Sequence, residues 1–177
     1  MIKYSKIDLM QIEKNDIPDL KRFINSFRHH LPEYKEVNIE SLNEQYLLQL
    51  TDPNAYYFTI RGLKEGGYAL YTEGFCSINN IDWVARHGEL RFLMQGSSAT
   101  FPSTESAKQA FGKLLSFGFE EINLNKLWIN VVDGNNIKEF LDKFGFVAEG
   151  IKREACFKRG EFVDITVCSL LAQEYGK

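Results

Sequence analysis

The stretch "KLWINVV", residues 126 to 132, constrains the fold more than any other. Its apolar residues run on without regular alternation, the mark of a central strand buried on both faces. Such a strand needs cover above and below, and the segments around it supply helices. From about Thr104 to Phe119 the spacing predicts a helix with Ala107, Ala110, Phe111, Leu114, Leu115 and Gly118 on one face. "NIKEFLDKF" predicts a short helix with Ile137, Phe140, Leu141 and Phe144 inward, and "FVAEGIKREACFKRGEFVDITVCSLL" a hairpin turning near "KRG".

Upstream, "YSKIDLMQIEK" places Ile7, Leu9 and Ile12 near period two, as in a strand. "NDIPDLKRFINSF" reads as a helix with Asp16 as a capping residue and Ile17, Leu20, Phe23, Ile24 and Phe27 at helical spacing. After the polar connection "RHHLPEYKEVN", "IESLNEQYLLQL" is a second helix, ended by "TDPN". "AYYFTI", "GYALYTEGFCSINNIDWVA" and "GELRFLM" then read as strands, with turns around "KEGG" and "RHG". No repeat or linker divides this series. The expected fold class is α+β: one domain over residues 1–177, with a mixed, mostly antiparallel central sheet flanked by helices.

Composition narrows the function classes. The chain has 177 residues, 44% hydrophobic and 25% charged, with a formal net charge of −3, which does not suit binding to nucleic acid or an anionic membrane. No apolar run approaches the ~20 residues of a membrane span, and the N-terminus lacks a signal peptide's apolar stretch. The three cysteines, Cys76, Cys156 and Cys168, are odd in number and widely spaced, as expected of reduced thiols in the cytoplasm. No metal is expected: His29 and His30 are adjacent, His87 sits in a turn signal, and no Cys/His pair has ligand spacing.

Two features carry possible chemistry. "MQGSSATFPSTESAKQAFGKLLSFGF", residues 94 to 119, reads as a strand end, a loop and a helix, a place where backbone N–H groups can hold a phosphate. Yet no glycine stands between Gly96 and Gly112. Glu89 lies on the strand before that loop. Facing a cleft, it could serve as a general base, directly or through a water. The other reading is a solvent-facing residue or an ion pair with Arg91, which shares its face of the strand.

The second half of the chain resembles the GNAT N-acetyltransferases, closest to the Rim-type and nucleotide-amino-sugar subgroup. The resemblance rests on "GFCSINNIDWVARHGELRFLM", "TESAKQAFGKLLSFGFEEINLNKLWINVV" and "DKFGFVAEGIKREACFKRGEFVDITVCSLLAQEY". Its most telling residues are Asp142 to Phe146, Glu149-Gly150, Arg153-Glu154, Gly160, Asp164 and Leu170-Leu171. It implies acetyl transfer from acetyl-CoA to a primary amine of a small molecule, amino sugar or protein N-terminus, by a monomer or homodimer. The sheet is expected to splay between "ELRFLM" and "KLWINVV" to admit the pantetheine arm. Glu89 becomes the catalytic candidate. The cofactor site is carried onto Met94, Gln95, Gly96, Ser97, Ser98, Ala99, Thr100, Ser103, Thr104 and Asn135.

The chain departs from the family pattern at several of these positions. Ser98 and Thr100 stand where the pyrophosphate loop usually has small, glycine-type residues, and Pro102 removes a donor. Gly134 occupies the usual Asn position, with Asn135 one step on, and Leu141 the place of a frequent Tyr general acid. Two readings follow: an acetyl-CoA site of altered geometry, or a non-catalytic GNAT-like binding protein that has lost the ligand. Asp164 is expected to be structural, paired across the final hairpin with Lys152 or Arg153.

Overall fold

The computed structural model describes residues 4–27, 37–49, 51–64, 70–94, 104–132 and 137–176. The chain runs β1 (Tyr4–Gln11), α1 (Ile17–Phe27), α2 (Ile39–Gln49), β2 (Tyr56–Lys64), β3 (Leu70–Asp82), β4 (His87–Met94), α3 (Glu105–Ser116), β5 (Lys126–Val132), α4 (Ile137–Asp142), β6 (Val147–Lys158) and β7 (Glu161–Leu171). The strands form one seven-stranded sheet in the order β1-β2-β3-β4-β5-β7-β6. Every neighbouring pair is antiparallel except β4 with β5, which are parallel and joined through α3.

The parallel pair explains where the core lies. A crossover between parallel strands must pass over a face of the sheet, and α3 does so with an apolar stripe. Ala107, Ala110, Phe111, Leu114 and Leu115 are all fully buried. They meet Ile60, Ile78, Leu90, Phe92, Leu127 and Ile129 from the strands. Phe111 is the centre, with ring centroids 5.3 Å from Phe92, 5.2 Å from Phe140 and 5.0 Å from Phe144. The helix continues as a wide turn over Phe117–Glu121. There Gly118 lets the backbone sit on the sheet, since a Cβ at that position would stand 2.8 Å from Leu127 Cδ1.

The other face is covered by α1 and α2 with a smaller cluster of Ile12, Phe23 and Phe75. Asp16 does not cap α1 as the sequence suggests. It lies in a short turn before the helix, accepts from the Glu13 N–H at 3.0 Å and the Thr59 hydroxyl at 2.6 Å, and pairs with Arg61. A carboxylate this buried is held by such charge-assisted bonds, which tie the α1 entry to β2. The closing hairpin turns at Arg159 and Gly160, both at positive φ (50° and 89°), as a tight two-residue turn requires.

Candidate active site

The parallel ladder between β4 and β5 is short. It holds His87 against Lys126, Gly88 against Leu127 and Glu89 against Trp128, then stops. Beyond it Leu90–Met94 and Ile129–Val132 pair only with their outer neighbours, β3 and β7. The strands therefore diverge into a wedge, as expected between "ELRFLM" and "KLWINVV". Glu89 occupies the last paired position, at the wedge's closed end.

Alternation sets which side of the sheet Glu89 faces. Leu90, Phe92 and Met94 enter the α3 core, so Glu89 points to the opposite side. It is only 6% exposed. Asn80 Nδ2 donates to Glu89 Oε2 at 2.7 Å, and Asn130 Nδ2 donates to Glu89 Oε1 at 3.1 Å. These amides meet the need of a buried carboxylate for donors. Each oxygen retains a lone pair for another proton.

Asn80 reaches Glu89 through a bulge. Asn79 is opposite Glu89, but the next register pair is Asp82 with His87, so Asn80 and Ile81 together face Gly88. Asn80 takes φ 49°, a left-handed conformation that asparagine tolerates better than most residues. The extra residue resets the alternation: Ile81 returns to the core while Asn80 turns its amide to Glu89. Next to this group, Asn79 Oδ1 and His87 Nδ1 are buried without a hydrogen-bond partner among the described residues. Buried polar atoms of this kind are commonly met by a bound water or ligand.

A fourth strand completes the cluster. Lys152 Nζ on β6 donates to Asn130 Oδ1 at 3.2 Å and lies 5.7 Å from the centroid of the Trp128 ring. Lys152 thus fixes the orientation of Asn130, whose other amide atom faces Glu89. On the same side, the Tyr57 hydroxyl is pushed up from its ordinary pKa by burial first and by Asp52 second, against a lowering from Arg91. It remains a neutral donor at physiological pH.

Of the candidate catalytic and cofactor-binding residues, Glu89, Met94 and Thr104 are described. Met94 ends β4 with its side chain in the core, 3% exposed, so its backbone is the part that faces the strand edge. The Thr104 hydroxyl accepts from the Ala107 N–H at 3.2 Å and caps α3. Gln95 to Ser103 and Asn135 lie outside the described residues. Leu141 is fully buried in the core and supplies no acid. The Cys76 and Cys168 thiols are pushed up by burial, as for inert core thiols. Among the described residues no three His, Cys, Asp or Glu side chains are grouped to hold a metal, and no helix is long and apolar enough to cross a membrane. The sequence reading missed Asn80 and Asn130 as site residues. The doublet Asn79-Asn80 inside a strand was the available signal, since asparagine is disfavoured there without a bulge.

Asp164 takes a different partner from the one expected. It accepts from the backbone N–H of Glu154 at 2.7 Å. Register explains this: Lys152 faces Ile165 and Cys156 faces Val163, so residues 153–155 form a bulge opposite Asp164. Glu154 stands there at φ 49°, and its N–H turns to the carboxylate.

This sheet, with one short parallel pair opening into a wedge, is the architecture of the GNAT N-acetyltransferases. Spermidine N-acetyltransferase from Vibrio cholerae, solved in complex with CoA and spermine, matches it with a TM-score of 0.83 at 20% sequence identity, over 98% of this chain and 99% of its own. In sequence the chain is similar to "Putative ribosomal N-acetyltransferase YdaF" of Bacillus subtilis (strain 168), 28% identical over 130 residues that cover 71% of this chain and 68% of the relative. It is also similar to "Uncharacterized N-acetyltransferase p20" of Bacillus licheniformis, 33% identical over 103 residues, covering 58% of this chain and 56% of that protein. No family model matches the chain.

Proposed function

We propose that the protein is a GNAT-type N-acetyltransferase, one domain over residues 1–177, that moves an acetyl group from acetyl-CoA to a primary amine. The observation that carries this reading is a parallel strand pair ending at a buried glutamate held by two amides. The wedge suits an extended arm with amide groups, which strand edges can hydrogen-bond. The similarity to two N-acetyltransferases and the CoA-bound structure of the same fold support the donor. The residues leading from Met94 to Thr104 join a strand to a helix whose first N–H groups have no partner within the helix. Anions are favoured there, so Gln95 to Thr100, with Ser103 and Thr104, make the candidate pyrophosphate loop. Asn135 is the remaining candidate for contact with the cofactor.

In this mechanism a neutral amine attacks the thioester carbonyl and Glu89 takes its proton, directly or through a water. The C–N bond forms, the C–S bond breaks, and the CoA thiolate leaves and is protonated from solvent. N–H groups at the wedge edge stabilise the oxyanion. A Rim-type subgroup, a cytoplasmic setting and a monomer or homodimer complete the reading. Calorimetric titration with acetyl-CoA, followed by thiol release on adding a panel of primary amines, tests it. Saturable binding with amine-dependent release is expected. Absence of both would favour the alternative of a binding protein that has lost the cofactor.

A further inference from the structure

Beside Glu89 the fold has placed a cation of its own. Lys152 Nζ rests on Asn130 Oδ1 and over the Trp128 ring, and both of these partners, among the described residues, are neutral. One amide separates this ammonium from the carboxylate, because Asn130 bonds Lys152 through Oδ1 and Glu89 through Nδ2. Two groups that would attract a substrate's cation, an aromatic face and an amide carbonyl, are thereby occupied. The nearby carboxylate on β6 is spent as well: Glu149 pairs with Lys126 and accepts from the Ser169 hydroxyl. Glu73, another buried carboxylate, lies next to Gly74 at the far end of the β3–β4 ladder, where Gly74 faces Met94.

We infer that Lys152 selects an acceptor amine that carries an anionic group, a carboxylate or a phosphate, near the reacting nitrogen. This deepens the acetyltransferase reading and rests on it. An acceptor with a second positive charge would meet Lys152 at short range, and because Lys152 is exposed this repulsion is strongest at low ionic strength. An acceptor with a nearby anion instead supplies the charged partner that Lys152 lacks among the described residues. Like-charge exclusion of this kind discriminates between substrates as much as the attraction does. Glu89 stays available as the base because the anion is drawn to β6 and not to β4.

The test uses the full chain, acetyl-CoA and matched acceptors. Glucosamine and glucosamine 6-phosphate differ by a phosphate. Short peptides with Glu or Lys after an N-terminal Ser differ in the sign of one side chain. Spermidine represents the polycation. The wild type should favour the anionic member of at least one pair by about fivefold or more in kcat/KM at low salt, and the two pairs separate phosphate from carboxylate. Lys152→Met should flatten that preference and Lys152→Glu should reverse it, with far-UV circular dichroism and the urea midpoint confirming that the variants fold. Preference for spermidine in the wild type, or the same charge preference in wild type and Lys152→Glu, would overturn the inference while leaving acetyl transfer intact. Saturable acetyl-CoA binding with no turnover of any acceptor would overturn both.

Discussion

The two faces of the sheet are built on different physics. Under α3 the contact is apolar and continuous, centred on Phe111, and its stability comes from many weak contacts summed over area. On the face that holds Glu89, a small apolar cluster sits beside directional bonds among few atoms: Asn80 and Asn130 on one carboxylate, with Lys152 on Asn130. The first arrangement tolerates conservative change at the cost of packing. The second fails by single atoms, because replacing a donor or an acceptor leaves a buried group unpaired. Damage to the first face should therefore appear as lost folded protein, and damage to the second as lost rate.

The sharpest test of this contrast is Glu89→Gln. It should lower kcat by about 10²–10⁴-fold, with little change in acceptor KM. The new NH2 group would also face an amide donor, so Asn80 or Asn130 must turn over to accept it. Full turnover with an unshifted pH–rate profile would remove Glu89 from the chemistry. On the opposite face, Phe111→Ala should cost about 3–5 kcal/mol in urea unfolding, while kcat per folded molecule is kept. A large loss of kcat in the folded fraction would break the division of labour between the faces.

Smaller effects probe the closing hairpin. Asp164→Ala should destabilise by about 0.5–1 kcal/mol by freeing the exposed Glu154 N–H. Asp164→Asn should cost less, since its amide oxygen still accepts that bond. Equal losses from the two variants would show that the charge matters more than the acceptor. The smallest effect is expected at Glu149. Hydrogen bonds from Lys126 and then Ser169 hold its carboxyl below the ordinary value of 4.5, against a modest opposing effect of burial. A depressed folded-state pKa contributes stability above the unfolded value, and that contribution is lost as pH falls through the folded one. Glu149→Gln should therefore narrow the difference in urea midpoint between neutral pH and pH below 4.5 by a small amount, because the side chain is largely exposed. A variant curve parallel to the wild type down to acid pH would discard the contribution.

Much of the apolar face was legible beforehand. The helical spacing of Ala107, Ala110, Phe111, Leu114 and Leu115 identified the stripe that the structure buries, because a core-facing helix must repeat near 3.6 residues. The turn at Arg159-Gly160 and the splay of β4 from β5 were also readable, the turn from its residues and the splay from the family resemblance. Asp16 was misread as a cap because a carboxylate before a helix has two uses, and only the position of Thr59 and Arg61 decides between them. The partner of Asp164 was misread because a bulge at residues 153–155 leaves no mark in the hydrophobic pattern.

What the sequence determined by itself was the order of elements, the face of α3 that is buried, and a glutamate on the strand that opens the wedge. These follow from local periodicity and turn chemistry, which act over a few residues. Only the tertiary structure decided what surrounds Glu89. Asn80 comes from a bulge in β3 and Asn130 from β5, and they meet at one carboxylate, while Lys152 from β6 bonds the far side of Asn130. A single extra residue in a strand turns a side chain from one face to the other. Hydrogen bonds between distant strands depend on that register and not on spacing along the chain.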